Sequence, residues 1–440
     1  MEKGIYNGFY QYLTGYFENE TRTENRPEPP EIRLKRTSAF QEFSLRGFPS
    51  NRYEDWKYTN LNRLLKDDFR FPDVQPALGS GPPALAGPDV CRIVLLNGKV
   101  VPEYSDPLPD GCRFFETAAA ISQPEYAGKM ATLARDTEYP MVALNTAFFT
   151  DFHVLHIAAG RSLEKPIHLM HLYTGHTTPA FIPYRMLLIA EPLSQATLME
   201  TFSSWGAQPV LVSYVSEQEI AESAVLHAYM VNEMEENGFL IHHREVSQEK
   251  SSQVNHMNIA LGNAALVRND LNFRLQGSGS ESNLWGTYVV GDRQHIDNHT
   301  LADHQQPHCN STELYKGIMQ DRSHAVFNGK VYVRQDAQKT NAFQQNNNVL
   351  LSDQATVNSK PQLEIYADDV KCSHGSTVGQ LNPEALFYLR TRGIGEEMAR
   401  RILVEAFVSE VHARITYPAL KDHVLKLLKN KLQSENLITA

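Results

Sequence analysis

Residues 324–351 read HAVFNGKVYVRQDAQKTNAFQQNNNVLL. Two short apolar runs, AVFNGKVYV and NNNVLL, flank a polar stretch, and the amides Gln344-Gln345-Asn346-Asn347-Asn348 stand at the second. Consecutive amides suit ladders of side chains stacked on successive β-coils. The same texture extends outward from about residue 90 to 370, in RIVLL, FHVLHI, PIHLMHLY, RMLLIA, AVLHAYMV, DLNFRL and LEIYA. These runs recur at roughly ten to fifteen residues, with Gly, Asn, Asp and Ser turns between them, as in all-β folds. Many short strands with few helices mean a sandwich, a barrel or a solenoid. The region is long for one closed barrel, and AALVRNDLNF follows a Gly-Asn turn. With the amide run, these features favour a right-handed parallel β-helix, although no clean repeat marks its coils. Stacked coils need capped ends, which flanking helices supply.

Those flanks are legible. Ile5, Phe9, Tyr12, Leu13 and Phe17 recur at helical spacing, a Pro-rich hinge TENRPEPPEIR follows, and GFPSNRYEDWKYTNLNRLL reads as a compact helical lead-in. Residues 72–89, PDVQPALGSGPPALAGPD, hold too many prolines and glycines for a regular element. Toward the carboxyl end, Asn382 is placed to cap a helix that begins at Pro383 and stops at Gly393. A second helix starts near Glu396, with Met398, Ile402, Phe407 and Val411 on one side. A third starts near Pro418, with Leu420, Val424, Leu427 and Leu428. The expected organisation is a helical region over 1–71, a linker over 72–89, a β-helix core over 90–381 with a helical interruption at about 114–148, and a helical domain over 382–440.

The net charge of −10 over 440 residues argues against nucleic acid as the main partner. From Glu384 onward, nine Lys/Arg against seven Asp/Glu leave the tail at +2 and the rest at −12. No run of eighteen apolar residues predicts a membrane span, and MEKGIYNGFYQYLTGYF has no signal-peptide core. Cys91, Cys112, Cys309 and Cys372 are too scattered for a disulfide framework. The expectation is a reduced, cytoplasmic chain.

Two constellations carry possible chemistry. In YADDVKCSHGSTVGQLNPEALFYLRTRGI (366–394), Cys372 and His374 lie two positions apart on a strand-like run, so both project to one face. They are half of a soft-metal site, since zinc and iron–sulfur centres usually take four ligands. The other half must come from elsewhere in the fold or from another chain. Lys371 points to the opposite face and gives the thiol little help. The plainer reading makes Cys372 a small buried hydrophobe and His374 a polar cap. In GDRQHIDNHTLADHQQPHC, with His324 shortly after, His295, His299, His304 and His308 cluster. An extended segment puts His295, Asp297 and His299 on one face, the donor set of a two-histidine, one-carboxylate iron site. The plainer reading has them hydrogen-bonding along β-coils. No phosphate-binding loop, nucleophile elbow, HExxH or dinucleotide fingerprint is present.

DVKCSHGSTVGQL, followed by ALFYLRTRGI and ARRILVEAF, resembles the carboxyl-terminal core of the SufB/SufD iron–sulfur cluster assembly family. HIDNHTLADHQQPHCNSTELYKGIMQDRSHAVFNGKVYVRQDAQKTNAFQQNNNVLLSDQA is similar to that family's β-helix, and GFPSNRYEDWKYTNL to its amino-terminal signature. Cys372-Ser373-His374-Gly375, where the SufB branch has HEA, points to the SufD branch. The resemblance implies a non-catalytic scaffold of a SufBCD-type complex, paired with a SufB-like paralogue and docking a SufC-like ABC ATPase, which hydrolyses ATP. It implies that His374, with Cys372 beside it, lies at the paralogue interface as a shared ligand of a transient iron–sulfur cluster. It places ATPase docking on Leu386, Phe387, Arg390, Arg392, Met398, Arg401 and Phe407. No tightly bound cofactor is expected in the isolated chain, a homodimer is allowed there, and no residue speaks for or against a flavin. The alternative from the residues alone is a non-haem iron enzyme built on His295, Asp297 and a third histidine.

Overall fold

The structure, a computed structural model, describes residues 4–23, 28–72, 89–174 and 176–434. Helices α1 (Gly8–Thr23) and α2 (Pro30–Arg46) come first. Strands β1 (Cys91–Leu96), β2 (Lys99–Val100) and β3 (Cys112–Phe115) precede the short helices α3 (Thr117–Ser122), α4 (Pro124–Lys129) and α5 (Pro140–Phe148). Then come β4 (Asp151–Ile157), β5 (Ile167–Tyr173), β6 (Ala180–Ala190), β7 (Gln195–Ser204), β8 (Val210–Ile220) and β9 (Val225–Asn232). The run continues as β10 (Gly238–Gln248), β11 (Gln253–Ala260), β12 (Leu266–Leu275), β13 (Glu281–Val290), β14 (His295–His304) and β15 (Asn310–Met319). It closes with β16 (His324–Val333), β17 (Asn341–Leu350), β18 (Thr356–Ser359), β19 (Gln362–Ile365) and β20 (Lys371–Gly379). Helices α6 (Pro383–Thr391), α7 (Glu396–His412) and α8 (Pro418–Ser434) follow.

The strands wind into a parallel β-solenoid of about eight turns, with helices at both ends of the chain. One sheet runs β2-β1-β5-β7-β9-β11-β13-β15-β17-β20, and the facing sheet runs from β18 through the even strands to β4 and β3. Antiparallel pairing of β2 with β1 and of β3 with β4 closes the amino-terminal end of both sheets. The coil repeat is carried by backbone and not by residue type. Leu193, Ser223, Ser251, Gly279, His308 and Lys339 all adopt positive φ (55–73°) at spacings of 28–31 residues. Each donates its N–H to a carbonyl of the next coil, at 2.7–3.2 Å.

Between the sheets, Ala196, Leu226 and Val254 stack from coil to coil. The facing strands add Val212, Leu240, Val267 and Ile296. Amide ladders do form, at Asn255–Asn283 (2.9 Å) and Asn310–Asn341 (2.8 Å). The run 344–348 behaves differently: its inward members Gln344, Asn346 and Asn348 are buried and bond into the lumen. Two aromatic rings need glycine opposite them. A Cβ on Gly317 would stand 2.1 Å from the Tyr288 ring, and one on Gly286 2.1 Å from Tyr315. Gly317→Ala is therefore expected to destabilise by about 1–3 kcal/mol through overpacking. An unchanged urea midpoint would refute this.

Helices cover the outer faces. Phe9, Leu13, Phe43 and Phe148 pack on Phe181, Leu211 and Phe239 of the even-strand sheet. Arg185 fastens the helical interruption to the same face: it donates to Asn145 and Thr146 of α5 and to Glu217 (2.9 Å). On the other sheet, Val404, Val408, Val411, Leu420, Val424 and Leu428 cover Met199, Tyr229, Met257 and Ile318.

Several local expectations shift. Ile5 pairs with Phe48 as an isolated bridge before α1 begins. The Pro-rich hinge ends early, because Pro30 already starts α2. The linker expected at 72–89 lies, apart from its end residues, outside the described residues. In α7 the packed stripe is Val404, Val408 and Val411, and Met398 and Ile402 are exposed. Ile402 sits two positions before Val404, about 160° around the helix, so it cannot share that face. Asn382 caps α6 as expected, its Oδ1 accepting from the N–H groups of Glu384 and Ala385.

Candidate functional site

Strand β20 is the last rung of its sheet. It pairs with β17 along one edge, and among the described residues no strand pairs with the other. The register sets Cys372 beside Ala342 and His374 beside Gln344. Because Ala342 and Gln344 face the lumen, so do Cys372 and His374, in line with the side-by-side projection expected of an extended CxH. Cys372 is half-buried against Ala342, Val331 and Val333, and His374 is exposed where the lumen opens. Burial pushes the Cys372 thiol above its ordinary range, partly offset by a backbone hydrogen bond at Ala342. Lys371, on the other face, does not counter this.

The groups beneath are polar. Ser376 and Ser359 share a hydrogen bond at 2.8 Å, Ser359 donates to Asn346, and Asn346 also accepts from Asn348. Gln344 Nε2 donates to Glu313 Oε2 at 2.6 Å, one coil further in. Sequence reading missed Gln344 and Glu313 as neighbours of His374. They come from strands 30 and 61 residues upstream, and only the coil register joins them.

The histidine cluster disperses. His304 turns into the lumen to Ser311 (2.9 Å), and His308 occupies an exposed turn. His295, Asp297 and His299 do share the outer face of β14, but the set is already spoken for. Arg268, one coil earlier, donates to Asp297 and Asp270 and stacks on Trp56 at 3.9 Å. The Thr59 hydroxyl gives its one proton to Asp297, so the His295 Nε2 contact at 2.8 Å is a donation to Thr59, not a free lone pair. Burial alone would raise the Asp297 carboxyl, but His299 and Arg268 hold it well below the usual range. The Fe(II) triad is corrected on this geometry: these residues clamp the EDWKYT strap onto the β-helix. Lys360 adds an ion pair to Glu54 at 2.8 Å. Among the described residues, no three His, Cys, Asp or Glu side chains converge as metal ligands.

At the carboxyl end, Phe387 (69% exposed) and Met398 (51%) face solvent. Arg390 pairs with Glu396, Arg392 stacks on Tyr388, and Arg401 pairs with Glu405. Leu386 is half-buried. Phe407 packs into the helix–sheet cluster beneath Lys316 (4.9 Å). No helix among the described residues is long and apolar enough to cross a membrane.

Residues 173–407 match the SUF system FeS cluster assembly SufBD core domain, and residues 9–169 match the SufBD protein N-terminal region. An iron–sulfur cluster assembly SufBD family protein of Synechocystis is 33% identical over 85% of each chain. The iron–sulfur cluster assembly protein SufD of Escherichia coli is 31% identical over 88% of this chain and 90% of its own. A chloroplastic protein of Arabidopsis, ABCI7, is 27% identical over 88% and 83%. The strand-borne CxH at the open end of the solenoid, the clamped EDWKYT strap and these matches lead to one conclusion: the chain belongs to the SufBD family of iron–sulfur cluster assembly proteins.

Proposed function

We propose that the chain is the SufD-type scaffold subunit of a cytoplasmic SufBCD-type complex, pairing through β20 with a SufB-like β-helix and docking a SufC-like ABC ATPase on α6 and α7. The observation that carries this is the free edge of β20, with an exposed His374 and a half-buried Cys372 where the lumen opens. An unpaired edge is a template for a strand of another chain. Two ligands fall short of the usual four, and a paralogue seated there supplies the rest. The iron–sulfur cluster is cargo, assembled at the junction and passed on. The exposed Phe387, Tyr388 and Met398 beside Arg390 and Arg392 form a mixed apolar and cationic surface fit for a protein partner. With no partner present, the same edge accepts a second copy of this chain.

The test is co-purification with SufB-like and SufC-like partners, followed by cluster formation read by visible absorption. A stable three-component complex is expected. His374→Ala is expected to leave the complex assembled while slowing cluster formation by about tenfold or more. Failure of the three chains to associate would sink the complex. A normal rate for His374→Ala would remove that residue from the mechanism.

A further inference from the structure

Gln344 is 3% exposed, and only one end of its amide is satisfied. Nε2 donates to Glu313 Oε2 at 2.6 Å, while Oε1 has no hydrogen-bond partner. An unpaired buried amide oxygen costs about 1–3 kcal/mol, so an acceptor left open here asks for a donor. The amide is not free to turn away. Glu313 is itself buried one coil inward, and the head group rests against Gly329 of the facing sheet, where a Cβ would stand 2.3 Å from Nε2. The next rung outward in the same column is His374, its Cα partnered with that of Gln344, its side chain on the same lumen face. Adjacent strands lie about 4.8 Å apart, within reach of an imidazole N–H turned inward. The other lumen-facing side chains of this rung are committed elsewhere: Asn346 and Asn348 to Ser359, Tyr288 and each other.

We infer that Gln344, held by Glu313 and seated against Gly329, is the positioning residue for His374: its Oε1 accepts one ring N–H of His374 and leaves the other ring nitrogen as a lone pair for a soft divalent cation. A histidine ligand whose second nitrogen is held by a hydrogen bond has a fixed tautomer and ring plane. In this column the supporting groups lie inward, in order His374, Gln344, Glu313, so the open end is prepared before a partner closes it. The inference rests on the reading of His374 as a cluster-handling group.

The complex with SufB-like and SufC-like partners is titrated with Zn(II) as probe against a chromophoric chelator. His374→Ala is expected to weaken binding. Gln344→Met keeps the length of the side chain but removes the acceptor, and is expected to weaken it about 10–100-fold. Gln344→Glu restores an acceptor oxygen and is expected to recover most of the loss, which a purely packing role would not. The double variant His374→Ala/Gln344→Met should bind no more weakly than His374→Ala alone, because Gln344 acts only through that ring. Should Gln344→Met fail to fold, Glu313→Gln, which loses the fixed acceptor and lets the amide turn over, reads the same weakening. Wild-type affinity in Gln344→Met, or a double variant weaker than His374→Ala, overturns the inference. If His374→Ala itself binds Zn(II) normally, the functional reading of His374 fails and takes this inference with it. The two failures are thus told apart.

Discussion

Acidification from pH 7 to 4 is expected to unfold this chain, with stability falling steeply below pH 6.5. Burial drives His168 and His256 down to about 3, helped by His171 and Arg244 respectively. Burial also lowers His295, His304 and His412 to about 4; Asp297 and Asp303 oppose it at the first two, and Lys421 adds to it at the third. An unfolded histidine takes a proton near 6.5, whereas these stay neutral in the fold. Below 6.5 the unfolded chain therefore binds more protons than the folded one. Each such histidine removes about 1.4 kcal/mol per pH unit, until the pH reaches its folded value. Glu313 acts in the opposite sense. Burial raises its carboxyl to about 7, so its contribution is complete below the unfolded value and is lost as pH rises through 7. One carboxyl does not balance five imidazoles. Urea midpoints measured from pH 7.5 to 4.5 should drop continuously at constant m. A flat profile between 6.5 and 5 would show that these rings are not held neutral. His256→Asn should reduce the slope by about 1.4 kcal/mol per pH unit.

The same buried polar groups explain which strands the sequence displayed. RIVLL and PIHLMHLY stand out because both faces of β1 and β5 pack against apolar groups. Strands β7, β8, β10 and β11 hide because Glu200, Ser216, Arg244 and His256 occupy inward positions, breaking the apolar alternation that marks a half-buried strand. The repeat is equally hidden. Its invariant is a left-handed turn backbone, filled in turn by Leu193, Ser223, Ser251, Gly279, His308 and Lys339. The CxH of β20 was legible because i and i+2 on a strand share a face whatever surrounds them. Gln344 and Glu313 were not, because register between coils is a tertiary fact. The HxD of β14 misled for the same reason: Arg268 and Thr59, which commit Asp297, come from another coil and from the amino-terminal strap.

Arg244→Met is expected to cost about 3–5 kcal/mol, because it leaves a buried carboxylate without its cation. Arg244 and Glu200 face each other inside the lumen, both under 2% exposed, and Arg244 Nη2 donates to Glu200 Oε2. Tyr214 donates to Glu200 Oε1 at 2.7 Å, and His171 stands 3.7 Å from the same oxygen. Tyr184 reaches His171 Nδ1 at 2.8 Å and Tyr173 at 2.8 Å, so five side chains hang on one carboxylate. Burial would push the Glu200 carboxyl up; Arg244, followed by His171, outweighs it and holds Glu200 ionised. Without Arg244, only His171 and Tyr214 are left to oppose the cost of burying the Glu200 charge. The double variant Glu200→Gln/Arg244→Met removes both charges at similar volume and should recover most of the stability, because the penalty lies in the unpaired charge and not in the lost pair. Urea denaturation of the two single variants and the double variant measures the coupling directly. A loss below about 1 kcal/mol for Arg244→Met would mean that water reaches Glu200, and with it that the lumen is not dry this far from its open end.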